Sequence, residues 1–211
     1  IIENILIKKN IDIKLGGNIG KPVLNLNVKK NTILIIEASS FQLAYSQFIK
    51  PKYALILNVS KDHLDWHGGM QNYIKSKFKI FKNQKKTDFA FLNEKKLIKK
   101  FKKDNCKSKL KIVSMRSYKL IEEKITNKYL KSKANQKNTT FVYELSKLFK
   151  VDDIQFINAC NKFKGLSHRQ EIFLKKRNIT FINDSKATSF ESCKQALYSS
   201  KNIYWIFGGL P

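Results

Sequence analysis

Apolar and polar positions alternate along the chain in blocks that predict strands followed by helices. Compact apolar or β-branched runs predict buried strands, which we place at residues 11–15, 32–36, 53–59, 88–92, 111–115 and 203–207. Apolar positions three and four residues apart predict helices, which we place at residues 39–47, 70–81, 94–103, 138–149, 152–163 and 189–199, with residues 1–10 as the tail of another. Residues 116–133 are too polar to assign. The alternation predicts an α/β fold with a mostly parallel sheet flanked by helices.

The pattern changes at Gly165, which suits the C-terminal cap of the preceding helix. Two short strands, residues 171–174 and 179–182, then flank a polar turn and predict a hairpin. We therefore divide the chain into a first domain, residues 1–164, and the start of a second α/β domain, residues 165–211.

Length and composition narrow the class of protein. The chain has 211 residues, of which 42% are hydrophobic, which is enough for one domain and part of another. No apolar run approaches the roughly 20 residues of a membrane helix, so we expect no membrane association. Few, widely spaced cysteines favour a reducing compartment, which we take as the cytoplasm; they are Cys106, Cys160 and Cys193. The chain starts without Met and stops just after a strand-like run, so we expect a fragment of a longer, monomeric protein.

The net charge of +26 has two interpretations, a nucleic-acid-binding module or a lysine-biased solvated surface. Arginine, the preferred residue for bidentate recognition of bases and phosphates, occurs only at Arg116, Arg169 and Arg177. The lysines are also spread along most of the chain instead of forming one stripe. We therefore expect no specific nucleic-acid partner, although the positive charge would attract an anionic substrate.

Polar side chains follow two predicted strands at the ends where ligands bind in open α/β sheets. Glu37 follows the strand at 32–36 and could hold Mg²⁺ or simply favour a helix dipole. His63 follows the strand at 53–59 in a loop that could bind metal or transfer protons, together with Asp62, Asp65 and His67. A lone histidine in a loop usually does neither, but two of the three histidines of the chain lie here.

Two further sequence patterns are weaker evidence for a functional site. Lys77 lies between Lys75 and Lys79, and the residues themselves do not separate a functional lysine from a solvated lysine face. The polar segment 183–188 lies between a predicted strand and a predicted helix, where it could bind an anion or form a capped turn.

Six motifs in this order resemble the Mur ligase family. They are Gly-Gly-Asn-Ile-Gly (16–20), Glu-Ala-Ser-Ser-Phe-Gln-Leu (37–43), Leu-Asn-Val-Ser-Lys-Asp-His-Leu-Asp (57–65), Tyr-x-x-x-Lys (73–77), Gly-Leu-Ser-His-Arg (165–169) and Asn-Asp-Ser-Lys-Ala-Thr (183–188). The first motif, with Ser-Ser-Phe-Gln-Leu from the second, points to the D-glutamate-adding branch. The resemblance implies that residues 1–164 are the central, ATP-binding domain of such a ligase and that the C-terminal domain starts at 165.

The resemblance also implies an activity. ATP would phosphorylate the carboxylate of UDP-N-acetylmuramoyl-L-alanine, and D-glutamate would attack the acyl phosphate to form an amide in peptidoglycan synthesis. A different Mur ligase or a folylpolyglutamate synthetase-type ligase is the alternative enzyme.

By the same resemblance, Glu37, His63 and Lys77 would be the catalytic and metal-site residues. Glu37 and His63 would each hold one of two Mg²⁺ ions, and Lys77 matches the family's carbamylated lysine. The other positions carried over are Asn18, Ser39 and Gln42 for the muramoyl substrate, Asn135, Asn138, Arg169 and Asp184 for the nucleotide, and Lys186 and Thr188 for the D-glutamate side.

The sequence departs from the family pattern in several places. Lys61, Trp66 and Ala134 stand where other residues are common in relatives. The sequence also has no G-x-x-x-x-G-K-[ST] phosphate loop. We therefore expect this 211-residue piece to be inactive alone.

Overall fold

A computed structural model of the chain describes residues 1–7, 10–198 and 201–208. Its strands are β1 (Ile13–Gly17), β2 (Ile33–Glu37), β3 (Tyr53–Leu55), β4 (Phe89–Leu92), β5 (Lys109–Ile112), β6 (Glu171–Lys176) and β7 (Ile179–Asn183). Its helices are α1 (Ile2–Ile7), α2 (Ser40–Tyr45), α3 (Leu64–His67), α4 (Met70–Lys82), α5 (Lys95–Lys103), α6 (Met115–Lys119), α7 (Lys128–Lys131), α8 (Lys133–Lys147), α9 (Asp153–Asn161) and α10 (Phe190–Tyr198). A short 3-10 helix spans Val23–Asn25.

The first five strands pair in parallel, which confirms the predicted α/β class. β1 pairs with β2, and β3, β4 and β5 form a second parallel sheet in that order. β6 and β7 form the predicted antiparallel hairpin. Among the described strands β2 does not pair with β3, so the parallel strands form two sheets.

Apolar side chains from the sheets and helices form two main cores. β3 and β4 pack against α4 and α5 through a core that includes Phe78, Phe81 and Phe101. The helices α1 and α6 to α9 pack around Tyr118, Tyr143 and Phe156. Burial of these large side chains is the main source of stability for each core, since a fully buried apolar side chain contributes about 1.5–3 kcal/mol.

Helix α4 also holds the irregular segment between α2 and β3. Lys79, Asn83 and Gln84, which lie along the end of α4 and just after it, donate to main-chain carbonyl groups. The acceptors are the carbonyls of Ala44, Gln47, Ile49 and Pro51. These bonds pair the carbonyl of Ala44 in α2 and three carbonyls of the following segment with side-chain donors.

Several predicted boundaries are wrong. The strand at 53–59 ends at Leu55, although Ile56 still donates to the Phe91 carbonyl at 3.3 Å. The strand at 111–115 is Lys109–Ile112, because Ser114 caps α6 by accepting from the Arg116 N–H. Residues 203–207 form no strand and are exposed, with no described strand beside them.

The helix predicted at 138–149 begins at Lys133, five residues earlier. The unassigned region 116–133 contains most of α6, α7 and the start of α8. The predictions for residues 8, 9 and 199 lie outside the described residues. The division of the chain at residue 165 stays a prediction. In the described ranges, no helix is both long and apolar enough to cross a bilayer.

Candidate functional site

Asn18 and Glu37 meet at the carboxyl ends of β1 and β2. The Asn18 N–H donates to the Glu37 carbonyl at 2.8 Å, and its side-chain amide donates to Glu37 Oε1 at 3.3 Å. Gly17 has a φ of +107°, and a Cβ there would lie 2.4 Å from the Glu37 carbonyl oxygen. A Cβ on Gly16 would lie 2.4 Å from the Lys21 carbonyl oxygen. The paired glycines of this motif therefore allow the close approach that joins Asn18 to Glu37.

Ser39 and Gln42 begin α2, two and five residues after Glu37. Ser39 Oγ accepts from the Gln42 N–H at 3.2 Å, and Gln42 Oε1 accepts from the Ser39 N–H at 2.9 Å. This reciprocal pair is a capping box, which stabilises the start of the helix. Their role as substrate contacts stays a prediction, and their observed contacts fix the first turn of α2.

His63 lies against the same turn of α2. Its ring centroid is 4.8 Å from that of Phe41, and its N–H donates to Asp62 Oδ1 at 3.0 Å. The backbone of His63 has a φ of +53°, a left-handed conformation that is uncommon outside glycine but in which histidine is enriched. The loop therefore holds the half-exposed imidazole close to Asp62 and to α2.

Lys77 and Lys79 are both partly buried, but their amines have different surroundings. Its Nζ lies 4.9 Å from the centre of the Tyr73 ring, and burial lowers the pKa of the amine, with Asp62 opposing that shift. Lys75 is exposed, and Lys79 donates to the Ala44 carbonyl. The structure thus separates three lysines that the sequence left equivalent. A lowered pKa increases the fraction of neutral, nucleophilic amine.

His67, four residues after His63, is buried and only 7% exposed. Its Nε2 is 2.9 Å from Ser40 Oγ. Burial lowers the pKa of this imidazole, and the neighbouring His63 and Lys77 lower it further. Phe41 contacts the rings of both His63 and His67, and Tyr73 contacts both His67 and Lys77. The three residues therefore lie in one region of the molecule, which the sequence suggested only for the two histidines.

One of the four predicted nucleotide residues, Asn135, contacts Tyr129, and two others, Arg169 and Asp184, affect the pKa of its hydroxyl. The Asn135 amide donates to the Tyr129 carbonyl at 3.0 Å. Burial raises the pKa of the Tyr129 hydroxyl; Asn135 and Arg169 lower it, and Asp184 raises it. Tyr129 itself was missed, because it lies in the polar region 116–133 and no motif marks it.

The loop that carries Asp184 is closed by hydrogen bonds to the turn at 168–170. Asp184 Oδ1 accepts from the Gln170 N–H at 3.0 Å, and the Lys186 N–H donates to the His168 carbonyl at 3.1 Å. Burial raises the pKa of the Asp184 carboxyl, although Gln170 and Arg169 oppose that shift. The side chains of Lys186 and Thr188 are exposed, and the roles predicted for them stay predictions.

Asn138 lies one turn after Asn135 on α8, and its side chain is exposed. Residues three apart are neighbours on a helix surface, so Asn138 lies next to Asn135, which contacts Tyr129.

The residues present suit a Mg²⁺ ion that is held partly by waters and substrate phosphates. They do not suit a metal that takes all its ligands from the protein. Among the described residues, no three His, Cys, Asp or Glu side chains are close enough to hold a metal ion. Mg²⁺ is usually bound through one or two carboxylates, waters and substrate phosphates. Glu37 offers a carboxylate, whereas Lys77 could contribute oxygen ligands only after conversion to a carbamate. The metal roles of Glu37, His63 and Lys77 stay predictions.

Comparison with known proteins identifies the family. Residues 7–157 match the Mur ligase middle domain family. The chain is 32% identical to the UDP-N-acetylmuramoylalanine--D-glutamate ligase of Caulobacter sp. (strain K31), over 95% of this chain and 48% of that protein. It is 35% identical to the protein of the same name from Oenococcus oeni (strain ATCC BAA-331 / PSU-1), over 100% of this chain and 52% of that protein.

The fold matches as well. A crystal structure of MurF from Acinetobacter baumannii superimposes with a TM-score of 0.69, over 95% of this chain and 51% of that chain, at 15% identity. The chain spans about half the length of the curated relatives it matches. Since the middle domain match covers most of its residues, the chain belongs to the Mur ligase family.

Proposed function

We propose that this chain supplies the central part of an ATP-dependent ligase that adds D-glutamate to UDP-N-acetylmuramoyl-L-alanine in peptidoglycan synthesis. The observation that carries the proposal is the partly buried Lys77, whose Nζ lies 4.9 Å from the centre of the Tyr73 ring. Through Tyr73, His67 and Phe41, a chain of ring contacts connects it to His63. The names of the similar proteins from Caulobacter and Oenococcus support D-glutamate as the amino acid.

The proposed reaction has two steps. The γ-phosphoryl group of ATP is transferred to a carboxylate oxygen of the alanyl residue, which gives an acyl phosphate and ADP. The amine of D-glutamate then attacks the acyl carbon, phosphate leaves, and the amine nitrogen loses a proton. Transfer of this kind depends mainly on positioning and on neutralisation of charge.

Lys77 would act as a carbamate. A neutral amine attacks the carbon of CO₂ and loses a proton to water, which replaces a cation with an anion bearing two oxygens. Burial favours this step because it increases the neutral fraction of the amine. The carbamate would lie beside the Tyr73 ring and close to Asp62.

The remaining residues have roles in binding. Glu37, His63 and the Lys77 carbamate would hold Mg²⁺, which neutralises phosphate charge when bound. Asn18 keeps the Glu37 carboxylate in place through its amide. Asn135, Arg169 and Asp184 would bind the nucleotide beside Tyr129, with Asn138 on the same helix. Lys186 and Thr188 would contact D-glutamate.

A substrate test on the protein encoded by the complete gene examines this proposal. Phosphate release should require ATP, UDP-N-acetylmuramoyl-L-alanine and D-glutamate, and should fail with lysine or meso-diaminopimelate. Release with either of those amino acids instead would favour another branch of the family. The 211-residue chain alone should release no phosphate, because its sequence lacks the phosphate loop motif.

A further inference from the structure

His67 spans the space between helices α2 and α4. It is the last residue of α3, and its Nε2 lies 2.9 Å from Ser40 Oγ on α2. Its Nδ1 lies 3.5 Å from Ser76 Oγ on α4. A neutral imidazole has one donor and one acceptor nitrogen, and a hydroxyl can serve as either, so both contacts can exist together. The Ser40 contact is the stronger, since 3.5 Å is long for a hydrogen bond.

Aromatic rings enclose the His67 imidazole. Phe41 stacks on it at 27° with centroids 5.5 Å apart, and Trp66 and Tyr73 have centroids 4.6 and 5.1 Å away. This enclosure favours the neutral imidazole, because burial disfavours the charged form. It also restricts rotation of the ring, so the directions of its two nitrogens are fixed.

Each of the two serines that contact His67 is adjacent in sequence to a residue of the proposed site. Ser40 follows Ser39, which starts the capping box of α2, and Ser76 precedes Lys77. Phe41, which stacks on His67, also contacts the His63 ring. The imidazole therefore touches both helices at the turns that carry the proposed substrate and carbamate residues.

We propose that His67 is a positioning residue, which fixes the first turn of α2 against the Lys77 turn of α4 through Ser40 and Ser76. The inference rests on the proposed function, because it is the proposed reaction that gives these two turns a catalytic role. An alternative is that His67 only fills space in the core. In that case an aromatic residue of similar size would replace it without effect on Lys77.

Carbamate formation on Lys77 distinguishes the two roles. The 211-residue chain is placed in ¹³C-bicarbonate at fixed pH, and the carbamate carbon is measured by NMR and assigned by its loss in Lys77→Ala. We expect His67→Phe to lower carbamate occupancy by at least about fivefold, the effect of losing roughly one hydrogen bond. His67→Gln, which keeps a donor and an acceptor, should restore it to within about twofold. Trp66→Phe, which keeps both polar contacts, is the matched control.

Circular dichroism of each variant shows whether the chain is folded. Unchanged carbamate in a folded His67→Phe chain would overturn the inference. If His67→Phe does not fold, rescue by His67→Gln supports the inference, and a folded His67→Gln chain without carbamate overturns it.

Absence of carbamate in the unsubstituted chain would count against the proposed role of Lys77 and not against His67. The ¹⁵N resonances of the imidazole then decide the positioning role. Ser40→Ala should shift the Nε2 resonance, whereas Ser46→Ala, at the other end of α2, should leave it unchanged. No shift with Ser40→Ala would overturn the inference.

Discussion

The side-chain amide of Asn18 donates to the Glu37 carboxylate at 3.3 Å, across the adjacent ends of two parallel strands. The main chains of the same residues are joined at 2.8 Å. This double contact places one amide and one carboxylate at the edge of the sheet where ligands of α/β proteins bind. It depends on the glycine before Asn18, because a side chain there would collide with the Glu37 carbonyl.

Gly17→Ala should therefore destabilise the chain strongly. A Cβ would lie 2.4 Å from the Glu37 carbonyl oxygen, and the φ of +107° is itself strained for alanine. Strain of this kind costs about 1–3 kcal/mol, and the collision adds to it. Urea denaturation measures the loss. Gly20→Ala is the control, since its φ is +77° but its nearest atom is 3.8 Å away. Equal losses for both variants would show that the collision is relieved.

Tyr118→Phe should stabilise the chain. The Tyr118 hydroxyl is buried, and it has no hydrogen-bond partner within the part of the chain that the structure describes. Because an unsatisfied buried polar group costs about 1–3 kcal/mol, its removal should raise the free energy of unfolding by about 1 kcal/mol. Tyr143→Phe is the matched control and should lower it, since that hydroxyl donates to Asp153 Oδ1 at 2.7 Å. A loss of stability in both variants would indicate that Tyr118 has a water partner.

The stability difference between the unsubstituted chain and Tyr118→Phe should also depend on pH. Burial raises the pKa of Tyr118 to about 12, above the ordinary value of 10.0. Below pH 10 both the folded and unfolded tyrosine are protonated, so the difference is constant. Between pH 10 and 12 the unfolded state loses its proton first, and the folded state becomes less stable as the pH rises. Denaturation curves at pH 9 and 11 should therefore favour Tyr118→Phe more strongly at pH 11.

Gln84→Leu should destabilise the chain, because it removes three hydrogen bonds. The Gln84 amide donates to the Pro51 carbonyl at 2.9 Å and the Phe89 carbonyl at 3.1 Å, and its oxygen accepts from Ser108 Oγ at 2.7 Å. Leucine of similar size would leave these buried groups unpaired, at a cost of about 2–4 kcal/mol. Thermal unfolding provides the measurement.

Ser108→Ala removes only one of those contacts and should lose about 1 kcal/mol. A loss for Gln84→Leu no larger than for Ser108→Ala would show that the two carbonyls find other donors.

The strongest periodic signals predicted the fold best. The helix predicted at 70–81 is Met70–Lys82, and the one predicted at 152–163 is Asp153–Asn161. Both have regular apolar spacing, which depends on local sequence alone. The strand near 111 was placed too late because Val113 and Met115 extend its apolar run, whereas the Ser114 cap that ends it depends on hydrogen-bond geometry.

The candidate site was predicted only as separate motifs. Sequence spacing could not distinguish Lys77 from Lys75 and Lys79, because burial of the amine depends on how α4 packs. The contact between His67 and Ser40 joins residues 27 positions apart, and no local pattern predicts it.

Lys79, Asn83 and Gln84 bind main-chain carbonyl groups within residues 44–51. A carbonyl is present whichever residue occupies the position, so this support does not depend on the side chains of the segment itself. The conformation of this loop therefore depends on the identity of three residues outside it, Lys79, Asn83 and Gln84. Saturation mutagenesis should find tolerance at Gln47 and Ile49 and intolerance at Asn83 and Gln84.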